Sequence, residues 1–300
     1  MTAAGNPALN TAARPTRGGR RISLSWLGVV PFFVYVGLFL LLPTAIIVVG
    51  SFSAPGGGVS LTNFAGIDKP YMVKAFTNSL AVSAVSAVAG ACFGAILAYA
   101  VVTGNPNGLL RRSITSASGV LAQFGGVALA FAFIATMSTV GFVTIFLKDH
   151  GIDIFANGVW LYDSPGITLI YVYFQIPLMV LVFMPALDGI KPQWREAAES
   201  LGGSTWHYWR YVAGPLLAPA FFGCTLLLFA NAFSAYATIA ALLTNGGIYV
   251  TLQIQALITG ETEQSQPGLA QALALTMIFI VVVVMTLYAL LQRRTSRWLQ

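Results

Sequence analysis

Charge is what this sequence has least of. Only 8% of its 300 residues are Asp, Glu, Lys or Arg, whereas a soluble domain carries roughly a quarter. Hydrophobic residues make up 57% of the chain. So few charged side chains could not cover the surface of a water-soluble core of this size. A soluble fold is therefore excluded, and much of the apolar surface must face lipid.

Cysteine and catalytic motifs are equally scarce. Cys92 and Cys224 lie in separate apolar runs without a CxxC neighbour, which indicates two small buried residues and no redox pair. His150 and His207 lack ligand-spaced partners, so no metal site is predicted. The sequence contains no Gly-Lys dipeptide and hence no phosphate-binding loop. We also find no nucleophile–base arrangement. The sequence predicts neither an enzyme nor a cofactor held by this chain.

Long apolar runs are abundant. A helix needs about 20 apolar residues to cross a membrane, and six stretches without a charged side chain reach that length. They are approximately Trp26–Phe52, Ala75–Thr103, Ala117–Phe146, Ile167–Leu187, Leu216–Leu243 and Leu269–Leu291. The third is over-long and is expected to break near Ser138–Gly141, leaving a short interfacial helix. The sequence predicts an all-α integral membrane protein with six transmembrane helices.

The polar ends complete the domain organisation. Residues 1–25 lack an apolar period and are predicted to be a disordered tail; residues 26–292 form the membrane domain, and residues 293–300 form a second tail. The first apolar run is too long for a signal peptide core. With the N-terminus inside, inner segments carry 12 Lys and Arg residues and outer segments carry 3. The positive-inside rule then puts both termini in the cytoplasm.

The connection between the fourth and fifth spans, residues 187–215, is unlike the others. Pro192 suits the first turn of a helix that continues to Leu201. Gly202 and Gly203 end it, and Ser204 is predicted to cap a second short helix. That helix would carry a bulky aromatic surface from Trp206, Tyr208, Trp209 and Tyr211. The pattern predicts a helix–Gly–helix projection suited to docking a partner; an ordinary amphipathic linker is the alternative.

These residues carry a family resemblance. One pattern runs from Glu196-Ala197-Ala198 through Gly202, Val212 and Gly214 to Pro215. Its residues and their spacing resemble the EAA loop of type I binding-protein-dependent ABC importer permeases. The family pattern ends in Ile-x-Leu-Pro, so Val212 is a mild departure and Gly214, in place of Leu, a larger one that could loosen packing. The resemblance extends over roughly Ala75 to Leu291 and implies a multi-pass protein of the bacterial inner (plasma) membrane.

The resemblance implies partners and site residues. In this family the EAA loop forms a coupling helix that inserts into a groove on a cytoplasmic ATPase, which binds and hydrolyses ATP with magnesium. Glu196 would make a polar contact to that subunit, although a solvated loop charge is the alternative. Ala197, Ala198 and Gly202 would allow close approach, and Trp206 and Pro215 would complete the surface. A second permease, expected to be a different chain, and an extracytoplasmic solute-binding protein are also implied.

Uncharged polar residues within the spans are candidates for lining a solute pathway, because such side chains avoid lipid. The candidates are Asn78, Gln123, Gln175, Asn231, Ser234 and Tyr236. In the resembled family spans four to six line the pathway, which favours Gln175, Asn231 and Tyr236. Hydrogen bonding between helices is the competing interpretation for each.

The solute is less well defined. The stretch Glu196–Ser204 resembles permeases of polyamine, iron, thiamine and aminoethylphosphonate importers, where Leu-Gly follows, whereas many sugar permeases place Asp before that glycine. A polyamine-like organic solute is therefore favoured over a sugar. A self-sufficient secondary carrier is a further alternative, but the spans lack the charged residues of an ion relay. An intramembrane enzyme would lack its catalytic residues.

Overall fold

A computed structural model describes residues 28–54, 57–104, 108–156, 158–243, 248–260 and 266–296, with side chains to residue 290. The predicted tail at residues 1–25 lies outside this set, as do residues 297–300 of the other tail. The chain divides into two compact units, Met1–Ile46 and Ile47–Gln300. The described part of the first unit, residues 28–46, is helical from Val30 onward and has no buried residue.

Within the described residues, helices account for all regular structure apart from one isolated antiparallel bridge between Ser53 and Val59. We number them in chain order: α1 Val30–Ser51, α2 Thr62–Ala65, α3 Pro70–Thr103, α4 Leu109–Gln123, α5 Gly126–Met137, α6 Phe142–Asp149, α7 Ser164–Asp188, α8 Pro192–Ser200, α9 Thr205–Ser234, α10 Ala237–Leu242, α11 Val250–Thr259 and α12 Pro267–Ser296. Six helical segments are long and apolar enough to cross a membrane. The predicted all-α fold with six transmembrane helices is confirmed.

The third apolar stretch differs from its predicted bounds. The predicted break at Ser138–Gly141 is present between α5 and α6. A second break, at Phe124 and Gly125, separates α5 from α4, which begins eight residues before the predicted Ala117. Gly126, with φ +69°, supplies the left-handed backbone at this break. The candidate span therefore runs from Gly126 to Asp149, and α4 is a separate helix.

The centre of the second unit is the packing of α3 on α7. The face of α3 that is buried here consists of small residues three or four positions apart: Ser83, Ser86, Ala87, Gly90, Ala91, Gly94 and Ala98. A Cβ on Gly90 would lie 2.6 Å from Gln175 Cβ, and one on Gly94 would lie 2.5 Å from Met179 Cβ. The two backbones approach this closely because the glycines have no side chains. Small residues spaced in this way are typical of helix packing within membranes.

The fifth span also differs from its predicted bounds, Leu216–Leu243. Helix α9 starts at Thr205 and ends at Ser234, and the chain breaks at Ala235 before α10. Backbone groups at and after this break bind side chains of other helices: Tyr171 Oη donates to the Ala235 carbonyl oxygen at 3.2 Å, and the Val250 N–H donates to Ser79 Oγ at 3.0 Å. Buried backbone groups that helices leave without a partner are generally satisfied in this way.

Candidate functional site

The helix–Gly–helix segment connects α7 to α9 through α8. Lys191 is extended, with φ −79° and ψ 132°, and Pro192 occupies the first helical position, where its missing N–H costs no hydrogen bond. The helix predicted after Pro192 is therefore present, over Pro192–Ser200. It lies between the fourth and fifth membrane-spanning helices, as the sequence predicted.

Two glycines end α8 in a Schellman motif. Gly202 has φ +77°, and its N–H donates to the Glu199 carbonyl oxygen at 2.9 Å. The Gly203 N–H donates to the Ala198 carbonyl oxygen, also at 2.9 Å. Only the first glycine requires left-handed backbone. The second is needed for space, because its Cβ would lie 2.8 Å from the Ala198 oxygen.

The start of α9 differs from the prediction in one respect. Ser204 occupies the capping position, but within the described part of the chain its hydroxyl bonds no backbone N–H of the helix. Ser204 Oγ instead lies 2.8 Å from His207 Nδ1. The helix is also continuous with the fifth span through a π-helical turn at Trp209–Ala213. The predicted second short helix is thus the first part of α9.

Gly214 follows from that π-helical turn. The Gly214 N–H donates to the Trp209 carbonyl oxygen, five residues earlier. A Cβ on Gly214 would lie 2.5 Å from the same oxygen. Gly214, which stands where the family pattern has Leu, therefore fits the wider π-helical turn.

The aromatic residues of the segment divide between two faces. Trp206 and Tyr211 are each 68% exposed. Tyr208 is buried, and Trp209 is half-buried with its ring centroid 5.2 Å from that of Tyr99 on α3. The sequence predicted an aromatic surface without this division. Two of the rings anchor α9 to the bundle, and two are free to contact another molecule.

The predicted coupling residues lie mainly on the outer surface of the segment. Glu196, Ala197, Gly202 and Pro215 are exposed, and Ala198 is half-buried. The Glu196 carboxylate has no ion-pair partner among the residues that the structure describes. The segment therefore presents an unpaired acidic group, small residues and a bare glycine turn on one side of the bundle.

Neighbouring charges are paired. Arg195 Nε lies 2.9 Å from Glu199 Oε1 one helical turn on, and this contact raises the pKa of the Arg195 guanidinium above its usual value. At the end of α7, Asp188 Oδ2 lies 2.6 Å from Arg111 Nη2 of α4. The second pair joins α7 to α4 beside the start of α8.

The three residues predicted to line a pathway do not share one environment. Gln175 is fully buried between α3 and α7, where its Nε2 donates to Ser86 Oγ at 2.9 Å. Its Oε1 has no hydrogen-bond partner in the described structure. Asn231 is exposed on α9, and exposed Tyr236 donates a hydrogen bond to Gln255 Oε1. Asn231 and Tyr236 are thus accessible from outside the chain, and Gln175 is not.

Tyr249, a buried tyrosine between α10 and α11, was not among the residues predicted from the sequence. Tyr249 directly precedes α11, and its phenol oxygen lies 3.2 Å from Ser164 Oγ at the start of α7. Burial raises the pKa of the Tyr249 phenol, so this group stays protonated at neutral pH. No motif marks the residue, because its role depends on a contact between distant segments.

Comparison with known proteins supplies an independent finding. Residues 142–297, about half of the chain, match the family described as "Binding-protein-dependent transport system inner membrane component". The thiamine transport system permease protein ThiP of Escherichia coli is 31% identical over 114 residues, 38% of this chain and 21% of that protein. The sulfate transport system permease protein CysT of the same organism is 26% identical over 175 residues, 58% of this chain and 60% of that protein. The chain thus aligns with less than two thirds of the length of these relatives.

Solved structures share the fold. A chain of a bacterial ABC transporter involved in the import of the acidic polysaccharide alginate superposes with a TM-score of 0.67 at 17% identity, covering 91% of this chain and 95% of that one. A chain of the methionine ABC transporter MetNI, in an inward-facing conformation, superposes with a TM-score of 0.54 at 14% identity, covering 74% and 95%. At these identities the likeness concerns the fold alone.

Proposed function

This chain belongs to the family of binding-protein-dependent transport system inner membrane components, and we propose that it is the permease subunit of an ATP-binding-cassette importer. In that role it forms half of the translocation pathway for a small solute. The energy comes from a separate ATPase that binds ATP with magnesium. The observation that carries the proposal is the exposed Glu196–Gly202 surface on a helix that joins two membrane-spanning helices.

The charge distribution supports an inside-facing coupling segment. With the N-terminus placed inside, the sequence assigns all 11 arginines and Lys191 to the inner segments, which include the one that carries α8, and assigns Lys69, Lys74 and Lys148 to the outer ones. Because short loops rich in Lys and Arg stay in the cytoplasm, both termini are proposed to be cytoplasmic. Helix α8 would then face the compartment that contains ATP.

The mechanism follows from the geometry of the segment. Helix α8 is joined to α9 through the Schellman turn, and α9 is anchored to α3 by the packing of Trp209 on Tyr99. A force on the exposed face would therefore be transmitted to α9 and α3. Movement of the ATPase subunits would rock the membrane helices as rigid bodies and expose the pathway to alternate sides. A second permease, proposed to be a different chain, and an extracytoplasmic solute-binding protein complete the assembly.

We propose Asn231 and Tyr236 as solute contacts, because their side chains are exposed on and just after α9. The proposal extends to Gln175 for a state in which α3 and α7 separate around it. A polyamine-like organic solute is favoured by the Leu201-Gly202 sequence after Glu199, and a sugar is the alternative. Ligand screening of the binding protein encoded with this chain distinguishes the two.

Charge reversal of Glu196 tests the coupling. We expect Glu196→Lys to abolish ATP-driven uptake in proteoliposomes that hold the complete transporter, because it replaces the unpaired carboxylate with the opposite charge. Asp149→Lys makes the same change at an exposed position at the end of α6 and should leave uptake normal. Normal uptake by Glu196→Lys, with assembly intact, would overturn the assignment.

A self-sufficient carrier is the second candidate, and reconstitution of the chain alone separates it. We expect no solute movement in liposomes without the ATPase. Uptake by the chain alone, driven by an ion gradient, would replace the importer proposal with the carrier.

A further inference from the structure

Two cavities adjoin beside α8. One has a volume of about 410 Å³ and lies between α3, α7 and α9; the other has a volume of about 500 Å³ and lies under α8. Tyr99, Leu187 and Trp209 line both. The two spaces are therefore neighbours that share these three residues as a rim, and we refer to the pair as the depression beside α8. Each volume is in the range of ordinary ligand sites.

The first cavity is apolar and is bordered by exposed side chains. None of its described lining residues is charged. Ile96 and Phe222 line it and are 65% and 56% exposed, on helices that are long and apolar enough to span a membrane. Gly214 also lines it and brings no side chain into the space. An occupant of this cavity must be apolar.

The second cavity is charged. Arg111, Arg195 and Asp188 line it, so two cationic groups face one carboxylate. Among the described residues, Arg111 binds its carboxylate through Nη2, and Arg195 binds Glu199 through Nε. Since a guanidinium has five N–H donors, each arginine keeps donors for a further anion. Pro192 and Thr205, the first residues of α8 and α9, also line the cavity, and helix N-termini favour negative charge.

The shared rim has the chemistry of a membrane interface. Trp209 is half-buried and packs edge-to-face on Tyr99, at the boundary between the charged and the apolar cavity. Tryptophan and tyrosine are enriched where headgroups meet hydrocarbon. A ligand that fills both spaces needs an anionic end and an apolar end, joined at this level.

We propose that this depression binds an anionic phospholipid, with its phosphate between Arg111 and Arg195 and an acyl chain along the cavity lined by Gly214. The inference goes beyond the proposed function and uses it only for the orientation, which makes this a lipid of the inner leaflet. The bound lipid lies between α8 and the bundle. It therefore stabilises the position of α8 relative to α9 and makes that position depend on lipid composition.

Titration of the purified full-length chain with lipid tests the site without any ATPase. We expect palmitoyl-oleoyl phosphatidylglycerol to bind, as measured by native mass spectrometry from detergent, and the zwitterionic phosphatidylcholine of the same chains to bind more weakly. The double variant Arg111→Gln/Arg195→Gln should weaken phosphatidylglycerol binding about 30-fold, since each basic residue near an anionic lipid contributes roughly a factor of five. Arg112→Gln, which removes an exposed neighbouring charge, should leave binding unchanged.

A photoreactive phosphatidylglycerol locates the site on the unaltered chain, so the test does not depend on the folding of a variant. In nanodiscs we expect its acyl label on Ile96 and Phe222 and in their vicinity. Inorganic phosphate at millimolar concentration should not displace the lipid, because it fills only the charged cavity. Equal binding of the two lipids, unchanged affinity of the double variant, displacement by phosphate, or a label spread evenly over the exposed helices would each overturn the proposal. None of these results bears on ATP-driven uptake.

Discussion

Gly202 offers the sharpest test of what the turn after α8 does. Its φ of +77° lies in the left-handed region, and no described atom lies within 4 Å of the point where a Cβ would stand. A side chain at this position therefore meets strain but no collision within the chain. Alanine in left-handed backbone costs about 1 kcal/mol, and asparagine costs less. Comparing the two substitutions shows whether Gly202 is needed for its left-handed backbone or for the absence of a side chain.

The local cost can be measured at two amides. The N–H groups of Gly202 and Gly203 donate to the carbonyl oxygens of Glu199 and Ala198, and both bonds break when the turn opens. Because about 1 kcal/mol corresponds to roughly a fivefold change in an equilibrium, we expect hydrogen exchange in this turn to be about fivefold faster in Gly202→Ala. Gly202→Asn should exchange at nearly the wild-type rate.

The uptake activities of these variants should not follow the order of their hydrogen-exchange rates. We expect both variants, and Gly202→Asp, to lose ATP-driven uptake, because under the proposed coupling each side chain would occupy space that the ATPase fills. Gly119→Asn is the matched control, since Gly119 is an exposed glycine with no described atom near its Cβ position and no left-handed backbone. Normal uptake by Gly202→Asn together with a defect in Gly202→Ala would refute the reasoning, because the glycine would then serve the turn alone.

Two further predictions concern the bundle. Gly94→Leu should lower the free energy of unfolding by about 2–3 kcal/mol, because the new Cβ would lie 2.5 Å from Met179 Cβ; thermal unfolding in detergent checks this, and Ala100→Leu, exposed on the same helix, should have little effect. Asn231→Ala should raise the KM for uptake by roughly three- to tenfold, the worth of one hydrogen bond, without lowering the unfolding temperature. As a contrast, Gln175→Ala changes a buried position and should lower the unfolding temperature. An unchanged KM in Asn231→Ala would remove Asn231 from the proposed pathway.

Much of the candidate site follows from local sequence. Pro192 can start a helix, and Gly202 can end one, for reasons that concern only a few neighbouring residues. For that reason the bounds of α8 were predictable to within one residue, and so was its position between two spans. The role of Ser204 was not predictable in the same way. Its hydroxyl could bond either a backbone N–H of the helix or the His207 ring, and in the structure it bonds His207.

The stripe of small residues on α3 was visible in the sequence as Gly90 and Gly94, four positions apart. The length of an apolar run predicts a membrane span but does not show which face of the helix is packed. The pattern could have predicted a close helix contact, but it could not have named α7 as the partner. That choice depends on which side chains fit against bare backbone, and Gln175 and Met179 are the ones that do.

The sequence by itself determined the class of protein, the number of membrane spans and the form of the exposed segment, since each depends on composition or on contacts within a few residues. Only the tertiary structure decided which polar residues are accessible. Gln175 is buried against Ser86, Asn231 is exposed, and Arg111 reaches Asp188 across 77 positions. The physical reason is that hydrogen bonds and ion pairs between helices require partners at one depth in the bundle, and distance along the chain carries no information about depth.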